Sequence, residues 1–175
     1  VGGIVGTAAA GNQQVNVTTS DLPGSGTEED PYVISNASEL QAIEQDLDAV
    51  YTLGSDIDAS GTAQWNGGKG FDPIGSESGT PFTGRFEGAG YTISGLTIDR
   101  GDSEQVGLFG YSSGTISDVT MTGVYVNGSR YVGGLVGKSD GVVQYSSVSG
   151  TVEGNSKVGV LAGRSGGLAT VKASS

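Results

Sequence analysis

Short apolar blocks recur along a chain otherwise dominated by glycine, serine and threonine. Val106-Gly-Leu-Phe-Gly110, Val132-Gly-Gly-Leu-Val-Gly137 and Val158-Gly-Val-Leu-Ala-Gly163 begin on valines 26 residues apart, twice over. Each block gives way to polar residues and glycine. The first two are followed by an alternating apolar and polar run, Thr115 to Gly123 and Val142 to Gly150. Gly90-Tyr-Thr-Ile-Ser-Gly-Leu-Thr-Ile98 reads as an earlier, divergent copy. Period-2 runs of β-branched residues predict strands, and a fixed period of this length predicts that each repeat is one coil stacked on the next. Coils in such a stack lie about 4.8 Å apart, so equivalent inward side chains form ladders. The expected fold is all-β, a parallel β-helix (β-solenoid), with glycine at the corners where φ > 0 is needed.

Upstream, Ser38-Glu-Leu-Gln-Ala-Ile-Glu-Gln-Asp-Leu47 is the one helical stretch. Ser38 with Gln41 forms a capping box, and Leu40, Ile43 and Leu47 share a face. Such a short helix would cap the open end of a stack, hiding edge groups that otherwise recruit another chain. The far end, Gly167 to Ser175, shows no such cap and stops midway through a coil. The chain opens on Val1-Gly-Gly-Ile-Val-Gly6, close to the interior Val132-Gly-Gly-Leu-Val-Gly137 although more than a hundred residues separate them. Residues 1–20 are therefore expected to be an extended N-terminal strand and linker, and 21–175 the solenoid domain.

Composition narrows the chemistry. Of 175 residues none is cysteine or histidine, which removes disulfides, thiolate metal sites and the commonest general base and metal ligand. Nineteen acidic residues against eight basic ones give a net charge of −11, which repels nucleic acid and anionic membranes. The few lysines, Lys69, Lys138, Lys157 and Lys172, together with that charge, point to a high-salt habitat in which hydrated carboxylates keep a protein soluble. No run of some 20 apolar residues could span a membrane as a helix. Three sequons, at Asn16, Asn36 and Asn127, fit an exported glycoprotein, with Asn127-Gly128 in a tight turn as the best-placed acceptor for an N-linked glycan.

Taken in order, Gly26-Thr27, Pro31-Tyr-Val-Ile34, Glu39-Leu40, Asp56-Ile-Asp58, Phe71-Asp-Pro-Ile-Gly75, Phe82-Thr-Gly-Arg-Phe-Glu-Gly88, Tyr91-Thr-Ile-Ser-Gly-Leu96 and the three Val-Gly blocks resemble the GLUG-repeat module over roughly residues 24 to 165. That module occurs in surface and secreted proteins of bacteria and archaea. With the acidic composition, the resemblance implies a haloarchaeal surface filament or a similar assembly. It also implies a right-handed β-helix and a non-catalytic role. Two departures, Val160 in place of the second glycine and the glycine missing from Val106 to Gly110, suggest end coils.

Three pieces of candidate chemistry stand beside that reading. Asp56, Asp58 and Ser60, followed by Gly61, match the first half of a calcium loop. Its twelfth position is Gly67 rather than a bidentate glutamate, so outward-pointing solvated carboxylates are the preferred account and calcium the alternative; no other cofactor is expected. Asp72, Glu87, Asp99 and Arg100 could serve a polysaccharide-cleaving site only if the fold gathered them into one groove. Trp65 would stack on a sugar if exposed, and would close the core if buried, which is the commoner fate of a large aromatic. Tyr111, Tyr125, Tyr131 and Tyr145 fall near strand ends.

The expected function is structural: a subunit of an extracellular filament or cell-surface assembly, not an enzyme. Its partner would be itself, head to tail, with no nucleic acid and no membrane insertion. Val1, Ile4 and Val5 would form a donor strand that completes the neighbour's last coil at Val158, Leu161, Leu168 and Val171, as in strand addition. An adhesin or a module binding surface glycans is the alternative, and a polysaccharide-active β-helix enzyme the third reading.

Overall fold

The computed structural model describes residues 14–75, 80–165 and 170–173, with residue 165 and the last four described by backbone alone. The early part holds β1 (Tyr32–Ile34), the helix α1 (Ala37–Gln41), β2 (Val50–Leu53), β3 (Ile57–Asp58), β4 (Arg85–Glu87), β5 (Thr92–Ser94) and β6 (Thr97–Asp99). There follow β7 (Glu104–Val106), β8 (Phe109–Ser112), β9 (Thr115–Ser117), β10 (Thr120–Asn127), β11 (Arg130–Gly133), β12 (Val136–Ser139) and β13 (Val142–Glu153), then β14 (Ser156–Gly159), β15 (Ala162–Ser165) and β16 (Thr170–Ala173). The described pairings between these strands are all parallel. The chain is thus all-β, with parallel sheets and little helix.

The 26-residue period becomes a circuit through the sheets. β7, β11 and β14 form one three-stranded sheet and β8, β12 and β15 another, while β9, β10, β13 and β16 belong to a ten-stranded sheet that also takes in β1 to β6. Val132 lies in register with Val106 on one side and Val158 on the other, so the three leading valines stand in one column. Phe109, Val136 and Ala162 make a second column. Tyr51, Phe86, Ile116 and Val143 make a third. The copy at Gly90 to Ile98 is real: β5 and β6 pair with the two halves of β10, with Gly95 and Gly123 both at positive φ where the strands turn.

These columns fill the core, and its character changes along the stack. The early coils pack aromatics: Tyr51 and Phe82 have ring centroids 6.4 Å apart, Phe82 and Phe109 4.9 Å, and Phe86 meets Phe109 edge-on at 5.4 Å. Later coils use Val, Leu and Ile, which suit a pleated surface buried on its inner face. Val106 and Val132 are fully buried, whereas Val158 in the last of the three blocks is 41% exposed, since no described strand pairs with β14 on its far side.

The structure corrects two local expectations. The helix begins at Ala37, not after Ser38, because Asn36 is its cap, its side-chain oxygen accepting from the Glu39 N–H at 2.9 Å. Ser38 Oγ instead accepts from the Val15 N–H, and Gln41 binds the backbone of Asp72, so neither residue serves the expected capping box. After Gln41 the chain tightens into a 3-10 turn, Ala42–Gln45, that keeps Ile43 buried and ends before Asp46 and Asp48, whose charges are unfavourable at a helix C-terminus. Secondly, several corners lack glycine. Gln105, Tyr131 and Lys157, one per circuit, hold φ between 54° and 57°, and Asp118 and Tyr145 are also positive at 55° and 52°.

Where glycine is indispensable the reason is contact between coils. At Gly114 a Cβ would collide with the carbonyl oxygen of Gly84, and at Gly141 with that of Gly114. Those same carbonyls accept hydrogen bonds from the Thr115 and Val142 N–H groups at 3.0 Å, so the backbone cannot retreat without breaking the ladder. Gly114→Ala is expected to destabilise the protein by about 2–3 kcal/mol in urea unfolding. Gly101→Ala, where a Cβ meets only the Asn127 side chain, should change it by about 0.5 kcal/mol or less.

Candidate functional site

The polar loop between β6 and β7 carries the densest chemistry. Its turn closes through the Ser103 N–H donating to the Arg100 carbonyl at 2.8 Å. The next coil anchors it: the Arg100 N–H donates to the Asn127 carbonyl at 2.9 Å, and Ser129 donates to Ser103 O through its N–H at 2.8 Å and its hydroxyl at 3.1 Å. Asp72 reaches the loop from across the early coils. α1 sets its position, because the Gln41 amide takes the Asp72 backbone at both ends, donating to its carbonyl at 2.8 Å and accepting from its N–H at 2.9 Å. Arg100 then approaches Asp72 Oδ1 at 3.7 Å.

Asp72, Arg100, Asp102, Ser103, Glu104 and Gln105 border a groove of about 390 Å³. A second hollow, of about 200 Å³, shares Arg100, Asp102 and Ser103 with it and adds Lys69 and Asp99. Two polar atoms here are buried with no hydrogen-bond partner, Arg100 Nε and Gln105 Oε1. Beside this region, burial and the Asp72 carboxylate push the Glu44 carboxyl up to about 7, against the opposing pull of Arg100.

Of the four residues that a cleavage site would have needed together, Asp72 and Arg100 meet, and Asp99 accepts from Asn127 Nδ2 at 2.9 Å nearby. Glu87 lies elsewhere, raised by burial and by Asp118 and accepting from Ser117 Oγ at 2.9 Å. Trp65 is 4% exposed and stacks on Phe71 at 6.1 Å, so it closes the core and offers no sugar platform. Asp56 Oδ1 accepts from the Thr92 N–H at 2.9 Å, and Asp58 is held below the usual carboxylate range by the hydroxyl and N–H of Ser60. Among the described residues no three acidic side chains converge on one point where a metal could sit.

The acceptor asparagines differ. Asn16 and Asn36 are exposed, Asn36 as the helix cap; Asn127 ends β10, half-buried, with its amide nitrogen donated to Asp99. Val1, Ile4, Val5 and Leu168 lie outside the described residues, and Val171 is described by its backbone pairing with Val143. Leu161 packs partly buried against the core. Residues 14–21 are not a free linker: the Val15 N–H and the Val17 carbonyl bond to Ser38 and Gln45, and Val17 packs on the core.

Residues 128–153, one full period, match the family model of the GLUG motif. That repeat of the chain is a GLUG motif. The match is narrower than the whole run of repeats, whose earlier copies have aromatic cores and a 3-10 insertion at Ser60–Gly68. Over 152 residues, 83% of the chain, it is 41% identical to halomucin of Haloquadratum walsbyi, and over 132 residues, 71% of the chain, 36% identical to a protein of Evansella cellulosilytica provisionally named a Gly-rich membrane protein. The chain spans 2% and 15% of the lengths of these relatives. A solved structure from Bacteroides ovatus, provisionally named an immunoglobulin A1 protease, aligns with a TM-score of 0.44 at 16% identity, covering 86% of this chain and 66% of that one.

From the sequence, Asp72 and Arg100 stand in a catalytic frame and Gln41 in a capping box, while Glu44 and Gln105 carry no signal. Only the fold brings helix, loop and β7 to one place. The raised Glu44 carboxyl has a measurable consequence. Its folded-state value lies above the ordinary one of 4.5, so the ionised form costs stability, and that cost is absent below pH 4.5 and complete above about pH 7. In thermal melts Glu44→Gln should match the parent near pH 4, gain on it between pH 4.5 and 7, and hold a constant advantage above.

Proposed function

We propose that this GLUG-repeat domain is a structural, non-enzymatic subunit of an extracellular, cell-surface assembly, and that its parallel sheets wind as a right-handed β-helix whose coils continue from one copy into the next. The observation that carries the reading is the asymmetry of the stack. At the early end α1 and its 3-10 turn cover the core, while β14 and β15 pair on one side only among the described residues, beside Val158 and Val160, 41% and 48% exposed. Unpaired parallel strands with apolar columns at their ends are a template for another strand. The names of the two relatives, a mucin-like word and a membrane protein, are in keeping with a surface role.

The donor in this reading is Val1 to Gly6, whose sequence nearly repeats Val132 to Gly137 of β11 and β12 and thus carries the pattern that β14 and β15 accept on their inner side. Contact of this head-to-tail kind does not close, so it builds a fibre. The net charge of −11 keeps such an assembly soluble in concentrated salt. N-linked glycans would decorate it, and the exposed Asn16 is the acceptor that glycopeptide mapping of the native protein should find occupied ahead of Asn127, whose amide is engaged by Asp99.

Sedimentation velocity and negative-stain imaging of the 175-residue chain test the assembly. Concentration-dependent filaments are expected, and both deletion of residues 1–10 and Val158→Lys, which sets a charge at the end of the valine column, should reduce them to monomers. Filaments of normal length in both variants would overturn the donor-strand joint.

A further inference from the structure

We propose that the flank formed by β11, β12, β14 and β15 binds an acidic polysaccharide, holding its sulfate or carboxylate groups through Arg130, Lys138, Lys157 and Arg164. This goes beyond the structural role and does not depend on the head-to-tail joint, since all four cations belong to one copy.

The net charge of −11 conceals a division. Residues 1–129 hold seventeen of the nineteen acidic residues and three of the eight basic ones, a net −14, whereas residues 130–175 hold two and five, a net +3. The fold gathers four of those five cations. Tyr131 and Lys157 turn equivalent corners of successive coils, at φ 54° and 56°. Gly163 packs so closely on both that a Cβ there would strike the Tyr131 and Lys157 backbones, which sets Arg164 beside them. The Arg164 guanidinium lies 5.8 Å from the Tyr131 ring centroid, and that of Arg130 lies 4.6 Å from the same ring. Lys138 continues the patch on β12, in register with Arg164 on one side and Tyr111 on the other, its ammonium 4.6 Å from the Tyr111 ring.

What points to a ligand is how these cations are left. Lys138 has Asp140 at 3.8 Å, a carboxylate that also accepts from the Tyr111 hydroxyl at 2.7 Å. Arg130, Lys157 and Arg164 are exposed, and among the described residues none of them forms an ion pair, although Glu104 lies in register with Arg130 on β7. In a chain with more than two carboxylates for each cation, three neighbouring cations without one leave an anion's place open. A ring holds a guanidinium by its charge and spares its N–H donors for a sulfate or carboxylate, which accepts two of them at once. The field of the remaining chain opposes a lone anion, so the ligand must make several of these contacts together, as a repeating acidic polymer laid over both sheets does. Nucleic acid fits less well, because the tyrosine rings on which bases would stack are already engaged by cations.

Fluorescence anisotropy of labelled dextran sulfate and labelled polygalacturonate with the 175-residue chain tests the site, at about 0.1 M salt, where charges within about 10 Å still act on one another. Saturable binding of at least one polymer is expected, the pair telling a sulfate ester from a carboxylate, and neutral dextran should not bind. Arg130→Gln combined with Arg164→Gln should weaken binding by about tenfold or more. Lys69→Gln combined with Arg85→Gln makes the same change in net charge on the acidic part of the chain and should leave binding within about twofold. Failure of both polymers to bind would overturn the proposal, and if the first double variant then abolished self-association in sedimentation, the flank would belong to a second copy. Equal losses in the two double variants would overturn it as well, as would labelled polydeoxythymidine bound as tightly as either polysaccharide. Amide-shift mapping on the parent chain keeps the outcome readable should a variant fail to fold: shifts are expected around residues 130, 157 and 164, and shifts centred elsewhere would refute the site.

Discussion

Backbone hydrogen bonding between successive coils is the constraint to which the rest of this structure answers. Each strand finds its partner one period away, in register, and the corners must then let main chains approach closely enough for the bonds to form. The Gly84, Gly114 and Gly141 column shows the demand plainly, since each position lies where a Cβ would strike the carbonyl of the coil before. Once the coils are held at that spacing, the side-chain columns follow. Tyr51, Phe86, Ile116 and Val143 meet because their backbones are bonded in sequence. Burial of those columns supplies the driving force, but the hydrogen-bonded ladder decides which residues share it.

An architecture of this kind puts polar chemistry at its periphery. The inside is a narrow stack with room only for ladders, so functional groups must come from loops that bulge from the coils or from the cap at the early end. Both contribute to the groove: α1 supplies Gln41, which fixes Asp72, while the β6–β7 loop supplies Arg100, Asp102 and Ser103. The neighbouring coil holds that loop in place through Asn127 and Ser129. A rigid repeat therefore serves as the frame for a site that no single repeat contains.

The same stacking makes the end of the column chemically distinct. Val106 and Val132 are sealed between neighbours, and their counterpart Val158 is open. The difference lies wholly in position, since all three are valines at equivalent points of the repeat. At the early end α1 and its 3-10 turn cover the core, so the two ends of the column differ in what lies against them.

Periodicity alone determined the repeat length, the parallel character of the pairing and the inward valines, because a column of identical apolar residues every 26 positions has few other ways to be buried. Glycine density marked where coils touch. The amphipathic residues Leu40 and Ile43 were also legible, since their spacing states a buried face whatever caps the helix. What only the tertiary structure decided were the features set by distant partners. Asn36 rather than Ser38 caps α1, because Ser38 is taken by Val15 and Gln41 by Asp72. Trp65 is interior because Phe71 lies against it. Gln105, Asp118, Tyr131, Tyr145 and Lys157 turn corners usually given to glycine, a strain that local preference argues against and that the ladders on either side impose. The meeting of Asp72, Arg100 and Gln105 was hidden for the same reason: spacing along a chain reports faces and periods, whereas a groove between a cap and a loop exists only once the coils between them have stacked.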